Sequence, residues 1–428
     1  MNDAIQPHLV IVGGGFAGLR ATRGLASAAV RITLLDRCNH HLFQPLLYQV
    51  ATAGLSAPDI AAPLRHILRQ QRNVEVRLGE VRDIDTAARV LRLDDGDSLA
   101  YDMLLLASGA THAYFGHDDW APHAPGLKTL DDALHIRRRL LLAFERAEAA
   151  NTDAERAAWL HFAIVGGGPT GVELAGTLAE IARHTLRHEF RRIDPAAAKV
   201  RLIEAGPRVL GAFPESLSSS ARRQLEKLGV EVVAGTPVAE IDAEGYRLGS
   251  ERVAARTVLW AAGVAASPLA RALNVPLDRA GRVLIGPDLH VPGHPEIFVA
   301  GDLAALQQDG KPVPGVAPAA KQMGAHIART IRDRLAGRTP TPFRYVDYGN
   351  LATIGRMAAV VDLGRLRFSG LLAWWFWLFM HVFFLIGFRN RLVVLLNWTW
   401  AYWTYQRAAR IIFGAREQAD PRGPPSGA

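Results

Sequence analysis

The pattern G-x-G-x-x-G occurs twice in this chain, as Gly13, Gly15 and Gly18 and again as Gly166, Gly168 and Gly171. Each copy follows a short apolar run, residues 8–12 and 162–165, that reads as a buried parallel strand, and each opens a helix-forming stretch. Glycine is needed at all three places. The first makes the tight turn, the second lets backbone amides approach a pyrophosphate, and the third lets helix and strand pack closely. The helix N-terminus then faces the phosphates with its positive dipole end. One such loop is a modest signal. Two in a chain of 428 residues predict two dinucleotide-binding units.

Both copies are followed by an acid. After the first come an expected helix (19–28) and strand (31–35) ending at Asp36, about 20 residues past the glycines, where a ribose hydroxyl pair is held. After the second, an irregular basic segment (184–199) leads to a strand at 200–203 and Glu204. A carboxylate there accepts hydrogen bonds from ribose hydroxyls and repels a 2′-phosphate, which favours NADH; Arg208 nearby leaves NADPH open. Strands are expected at 74–78, 90–93 and 101–107, the last ending in the small residues Ala107-Ser-Gly109-Ala. Residues 118–151 cross into the second unit with one long helix, 130–150. A strand around Val230 and the run TVLWAAGV, with Gly263, complete a smaller sheet. The chain then returns to the first unit with a strand ending in Gly301-Asp302, whose carboxylate suits the ribityl chain of a flavin. A helix over 315–331 follows, its N-terminal end able to point at a flavin ring. Lys321 on it is either a surface lysine or the counter-charge of an anionic reduced flavin. Residues 40–60 are aromatic, rich in small polar residues and without a clean period. They read equally as a buried connection or as a lining for the flavin or a quinone channel, with Pro45 and Gln49 near the isoalloxazine.

The net charge of +8 is unevenly placed. From Arg356 onward there are nine arginines, no lysine and three acids, together with six of the nine tryptophans. That composition belongs to a membrane interface and not to a nucleic-acid surface. Cys38 is the one cysteine, which excludes a disulfide framework and a CxxC redox pair. The start, MNDAIQPHLVIVGGG, has no basic region followed by an apolar segment, so no signal peptide is expected. An enzyme on the cytoplasmic face of an inner membrane fits these features.

With these residues assembled, the chain resembles the two-dinucleotide-binding-domain flavoproteins, and among them the type II NADH dehydrogenases. The resemblance runs from about residue 8 to 410 and rests on IVGGGFAGL, HHLFQPLLYQVA, GGGPTGVELAG, LIEAGPRVL, FVAGDLA and APAAKQMG. It implies an α/β fold with two Rossmann-like domains, one for FAD and one for NADH, the second inserted in the first, and a C-terminal helical membrane anchor. The expected divisions are 1–118 and 271–345 for the FAD domain, 119–270 for the NADH domain, 346–413 for membrane association and 414–428 for a disordered tail. It also implies non-covalent FAD on the first loop, NADH on the second, a membrane quinone as acceptor and no proton pumping. The candidate cofactor-binding residues are Gly13, Gly15, Phe16, Ala17, Gly18, Asp36, Arg37, Pro45, Gln49, Ala107, Gly109, Gly301, Asp302, Ala317 and Pro318, with Gly166, Gly168, Pro169, Thr170, Gly171, Glu204 and Gly263. Glu173 matches the family's acid beside flavin and nicotinamide and is expected in the first helical turn after the second loop. Its plainer reading is a surface acid that compensates the helix dipole. The family's quinone helix often carries A-Q-x-A-x-Q; here the second glutamine is Gln322, and Pro318 replaces the first. Glu173, Lys321 and Gln322 are the catalytic candidates. A sulfide:quinone reductase shares the architecture but needs reactive cysteines, and a ferredoxin or disulfide reductase has no use for the tail. A flavoprotein sensor with slow NADH oxidation is the rival from another class.

Residues 368–388 are 21 residues long with only Ser369 and His381 clearly polar, a length that suits a bilayer span. Arginines flank both ends, so no positive-inside asymmetry orients it. The next segment, 392–413, gathers Asn397, Thr404 and Arg407 or Arg410 on a narrow polar face. Two helices dipping into one leaflet are therefore favoured over a span, and a homodimer interface is the alternative. His381 reads as packed or interfacial, since no second ligand stands at metal spacing; no metal site is expected.

Overall fold

The strand His8–Val12 is buried along its whole length, which requires neighbours on both edges and cover on both faces. In the computed structural model, which describes residues 6–385, 388–404 and 409–412, it pairs in parallel with Arg31–Asp36 and Met103–Leu106. Val74–Leu78 extends this sheet beyond Arg31–Asp36. On the other side His294–Val299 adds in parallel to Met103–Leu106, and His290–Val291 closes the edge antiparallel. Since the neighbour of Met103–Leu106 comes from so late in the chain, the intervening residues form a second unit inserted into the first.

Helix α1 (Phe16–Gly24) leaves the first glycine loop at Gly15, three residues earlier than the periodicity suggests, because the loop itself supplies the N-cap. The segment at 40–60 folds into a short hairpin strand and turns around α2 (Leu47–Ala51), with Phe43, Leu46 and Tyr48 buried. The inserted unit opens with α3 (Leu130–Ala149), started by a capping box: Asp132 N donates to Thr129 Oγ1 at 3.1 Å, and Thr129 N donates to Asp132 Oδ2 at 2.8 Å. Its sheet is wholly parallel, in the order Val230–Ala234, Lys199–Glu204, His161–Val165, Thr257–Trp260. Helix α4 (Pro169–Glu180) follows the second glycine loop. The outgoing and returning chains pair antiparallel, Ala110–His112 on Val264–Ala266. The first unit is completed by α5 (Ala317–Leu335).

The C-terminal part begins as a three-stranded antiparallel sheet, Asn350–Gly355, Ala358–Asp362 and Arg367–Ser369. It lies directly on α4. A Cβ added to Gly176 would stand 1.4 Å from the Ile354 carbonyl oxygen, so helix and strand meet backbone to backbone. The apolar stretch at 368–388 is not one helix. Phe368 belongs to the last strand, Gly370 turns the chain at φ +78°, and α6 (Leu371–Phe384) and α7 (Phe388–Thr404) are separate. At 1.5 Å per residue α6 is about 21 Å long, short of a hydrocarbon core of about 30 Å. No described helix is long and apolar enough to cross a membrane. Residues 414–428 and Arg407 lie outside the described residues.

Candidate functional site

The two glycine loops are wired alike. Gly13 has φ +105° and its absent Cβ would lie 2.4 Å from the Ala107 carbonyl oxygen; Gly166 has φ +112° and would meet the Ala261 backbone carbon at 2.4 Å. Each sits where only glycine avoids both the strain and the clash. Gly13 N donates to Leu35 O at 2.8 Å, and Gly166 N to Ile203 O at 2.7 Å. The Asp36 carboxylate accepts from Gly14 N (2.5 Å) and Cys38 N (2.7 Å), and that of Glu204 from Gly167 N (2.6 Å) and Gly206 N (2.7 Å). These amides pin the acids across the loops and leave further lone pairs for ribose hydroxyls. Burial pushes the Asp36 carboxyl up, and hydrogen bonds from Cys38 and Gly14 pull it back. Behind the first loop, His41 Nδ1 meets Gly14 O at 2.9 Å, its pKa held down to about 4 mainly by burial. Neither α1 nor α4 has a side-chain cap or an acid in its first turn, so both N-termini are open to an anion.

A cavity of about 1390 Å³ brings most of the predicted residues together. Gly13, Gly15, Phe16, Ala17, Asp36, Arg37, Pro45, Ala107, Gly109, Gly301, Asp302 and Ala317 line it from the first unit, and Pro169, Thr170, Glu173 and Gly263 from the second. A second cavity of about 780 Å³ holds Gly166, Gly168 and Glu204 with Arg208. The residues fit an extended flavin dinucleotide. Beyond the glycine cradle, Ser108 lines the large cavity, and its buried Oγ has no hydrogen-bond partner among the described residues, as a group that awaits a ligand would. Among the described residues no cluster of His, Cys, Asp and Glu suits a metal ion.

Six expected residues line neither cavity. Gly18 and Gly171 pack against the Gly13 and Gly166 carbonyls instead, where an added Cβ would lie 1.9 and 1.8 Å from the oxygens. Ala317 and Ala320 are one turn apart on α5 and face the cavity. Successive helical residues turn by about 100°, which puts Pro318 and Gln322 off that face; Lys321, one turn after Ala317, shares its side of the helix but does not line the cavity. Pro318 stands in the first turn of α5, where a missing N–H costs nothing. The Gln322 amide grips the Val346 backbone twice, donating to its carbonyl at 2.8 Å and accepting from its N–H at 2.9 Å. Lys321 Nζ lies 5.0 Å from the Phe16 ring, 6.0 Å from Phe43 and 4.8 Å from Phe384, and burial lowers its pKa. Gln49 accepts from Trp398 Nε1 at 2.7 Å and donates to Tyr48 OH at 2.9 Å, which ties α7 to the 40–60 segment. That segment is both a buried connection and, through Gln44, Pro45, Leu47 and Tyr48, a cavity wall.

Glu173 is the fifth residue of α4, in its second turn, so it does not compensate the helix dipole as a first-turn acid would. It keeps some accessible surface, on the cavity, yet protein surrounds it otherwise. Burial pushes its carboxyl well above the ordinary glutamate value, against a single hydrogen bond from the Thr353 backbone. The donor comes from the C-terminal sheet. Two further residues enter the cavity without any spacing signal. Lys128 Nζ stands 3.6 Å from Asp302 Oδ2, and His381 reaches in from α6.

The family model described as pyridine nucleotide-disulphide oxidoreductase matches residues 7–324, and an NDH2 C-terminal domain matches residues 348–404. Among curated proteins, the type II NADH:quinone oxidoreductase Ndh of Mycobacterium tuberculosis is 45% identical over 420 residues, covering 95% of this chain and 90% of that protein. Among solved structures, NDH2 from Plasmodium falciparum in complex with NADH superposes with a TM-score of 0.87 at 20% identity, over 96% of this chain and 100% of that one. The sulfide:quinone oxidoreductase of Aquifex aeolicus shares the fold less closely, with a TM-score of 0.71 at 18% identity over 90% and 92% of the two chains. Two duplicated nucleotide loops, a buried acid between them and a matching C-terminal domain converge on one assignment: the chain belongs to the type II NADH:quinone oxidoreductases.

Proposed function

We propose that this chain moves two electrons from NADH docked on the second glycine loop to a membrane quinone without pumping protons, with FAD as the cofactor that the first loop would hold. The observation that carries this reading is the single cavity into which the first loop, Glu173 of α4 and His381 of α6 all open. Bound FAD supplies the two-electron exchange. The amides at the start of α1 would hold its pyrophosphate, and Asp36 would hold a ribose. Lys128, paired with Asp302, lowers the cost of negative charge in the cavity. Burial favours the protonated form of Glu173, which is placed to give its proton to a quinone oxygen. Steady-state NADH oxidation with a short-chain quinone tests the whole reading. Turnover well above about once per second is expected, and turnover well below it would favour a redox sensor.

Glu204 selects NADH. Arg208, the residue able to welcome a 2′-phosphate, is already committed, donating to Gly211 O at 3.0 Å and Phe213 O at 3.2 Å. Replacing Glu204 by serine is expected to cut the preference for NADH over NADPH about tenfold, the scale of a lost ribose hydrogen bond to a charged group. The ratio of kcat/KM values for the two nucleotides measures it.

The C-terminal helices seat the protein on the cytoplasmic leaflet. On α6 the outer face carries Leu372 (73% exposed), Trp375 (54%), Phe379 (63%) and Phe383 (55%), while Trp377 and the histidine turn inward. Water reverses that order; hydrocarbon favours it. Arg365 and Arg367 are exposed just before α6 and supply headgroup contacts. A Trp375→Asp, Phe379→Asp double variant is expected to partition at least about tenfold less into sedimented membranes, with NADH:ferricyanide activity retained. Undiminished sedimentation would refute the seating.

A further inference from the structure

The α6 residues Ala373, Trp377 and His381 repeat every four positions and form the face turned into the protein. His381 Nδ1 lies 2.8 Å from the Trp377 carbonyl oxygen. A carbonyl only accepts, so the hydrogen sits on Nδ1 and Nε2 carries a bare lone pair. The ring cannot turn freely. It stacks on Trp377 at 4.3 Å and 28° and meets Phe43 edge-on at 6.3 Å. Trp377 is braced in turn by Trp398 at 5.5 Å, and Trp398 is tied to Gln49. Nε2 has no protein partner among the described residues, while its ring lines the same cavity as Glu173. Burial holds the imidazole neutral at working pH, its pKa lowered to about 4.

The cavity therefore offers the Glu173 carboxyl, a donor in the protonated form that burial favours, and an acceptor, His381 Nε2. A quinone has only acceptor oxygens and satisfies the first. A quinol carries hydroxyl donors and satisfies the second. We propose that His381 Nε2 accepts a hydrogen bond from a hydroxyl of the reduced quinone, so that the site recognises the product of the reaction as well as its substrate. The assignment rests on the quinone reading given above. Selective contact with the reduced form lowers its free energy in the site and makes reduction of the bound quinone more favourable.

The test uses the full-length, FAD-loaded protein in lipid–detergent micelles. The probes are a short-chain benzoquinone, its quinol and the dimethyl ether of that quinol. Quinol affinity is read as a product-inhibition constant and, without NADH, by quenching of tryptophan fluorescence. His381→Phe keeps the stacking and removes the acceptor. It is expected to weaken quinol binding about tenfold, the scale of one buried hydrogen bond, and to shift the quinone KM at least fivefold less. His381→Gln, which restores an acceptor oxygen, is expected to recover most of the quinol affinity. Equal shifts for quinone and quinol, or none, would overturn the assignment. Where the phenylalanine variant does not fold, the wild-type protein decides: quinol must bind at least about fivefold tighter than its dimethyl ether, and equal affinities refute the hydrogen bond. A wild-type protein that reduces ferricyanide but no quinone removes the quinone reading itself, an outcome distinct from failure at His381.

Discussion

Glu173→Gln is expected to slow NADH:quinone turnover about a hundredfold, the low end of what a positioned proton donor contributes. Anaerobic flavin reduction by NADH keeps at least half its rate, since the amide matches the acid in size and polarity and only the proton is lost. Stopped-flow measurement of the two half-reactions separates these effects, and unchanged quinone turnover would remove Glu173 from the mechanism. The same variant has a signature in stability. Burial raises the folded-state pKa of this carboxyl above its unfolded value. Between those two values the folded chain binds more protons than the unfolded one, so stability falls as pH rises through that window. Below it both states are protonated and nothing is lost. Glutamine does not titrate, so Glu173→Gln is expected to raise the melting temperature at pH 8 and to leave it nearly unchanged at pH 4. A gain in stability with a loss of activity is the mark of a strained functional group.

The second large effect belongs to Gly176. Even alanine there puts a Cβ 1.4 Å from the Ile354 carbonyl oxygen, and neither partner is a side chain that can swing aside. Gly176→Ala is expected to cost about 3 kcal/mol or more and to lift the Asn350–Gly355 strand from α4. That strand supplies the Thr353 N–H that reaches Glu173 and leads through the hairpin into α6. Quinone reduction and membrane binding should therefore fall together while NADH:ferricyanide activity survives. Thermal unfolding, with limited proteolysis near residues 338–348, reads the detachment. A variant with wild-type stability and quinone turnover would show that the contact relaxes at no cost.

What was legible in the chain was local. Each glycine loop, its preceding apolar strand and its acid lie within one strand–helix–strand unit, where hydrophobic period and glycine chemistry act without help from distant residues. Asp36 and Glu204 followed from that logic, whereas Gly301-Asp302, a weak motif by itself, was legible only because two such loops precede it. What escaped depends on rotation and on remote partners. Ala317 and Ala320 face the cavity while Gln322 does not, because the azimuth of that helix is set by packing on the first unit; Lys321 shares their side, but its ammonium ends among Phe16, Phe43 and Phe384. The apolar run at 368–388 looked long enough for a span because composition does not show that Gly370 turns a strand into a helix there. His381 read as packing because the cavity it enters is built by residues far away in the chain, and the pairing of Lys128 with Asp302 has the same cause.

The matched wiring of the two carboxylates gives this enzyme an internal standard. Asp36 and Glu204 hold the same pair of loop amides, at nearly the same distances, behind glycines of the same handedness. Paired substitutions of the two acids perturb equivalent scaffolds, so the part of each response that differs reports on the nucleotide and not on the loop. One polypeptide thus carries both the experiment and its reference, under identical solvent, temperature and preparation.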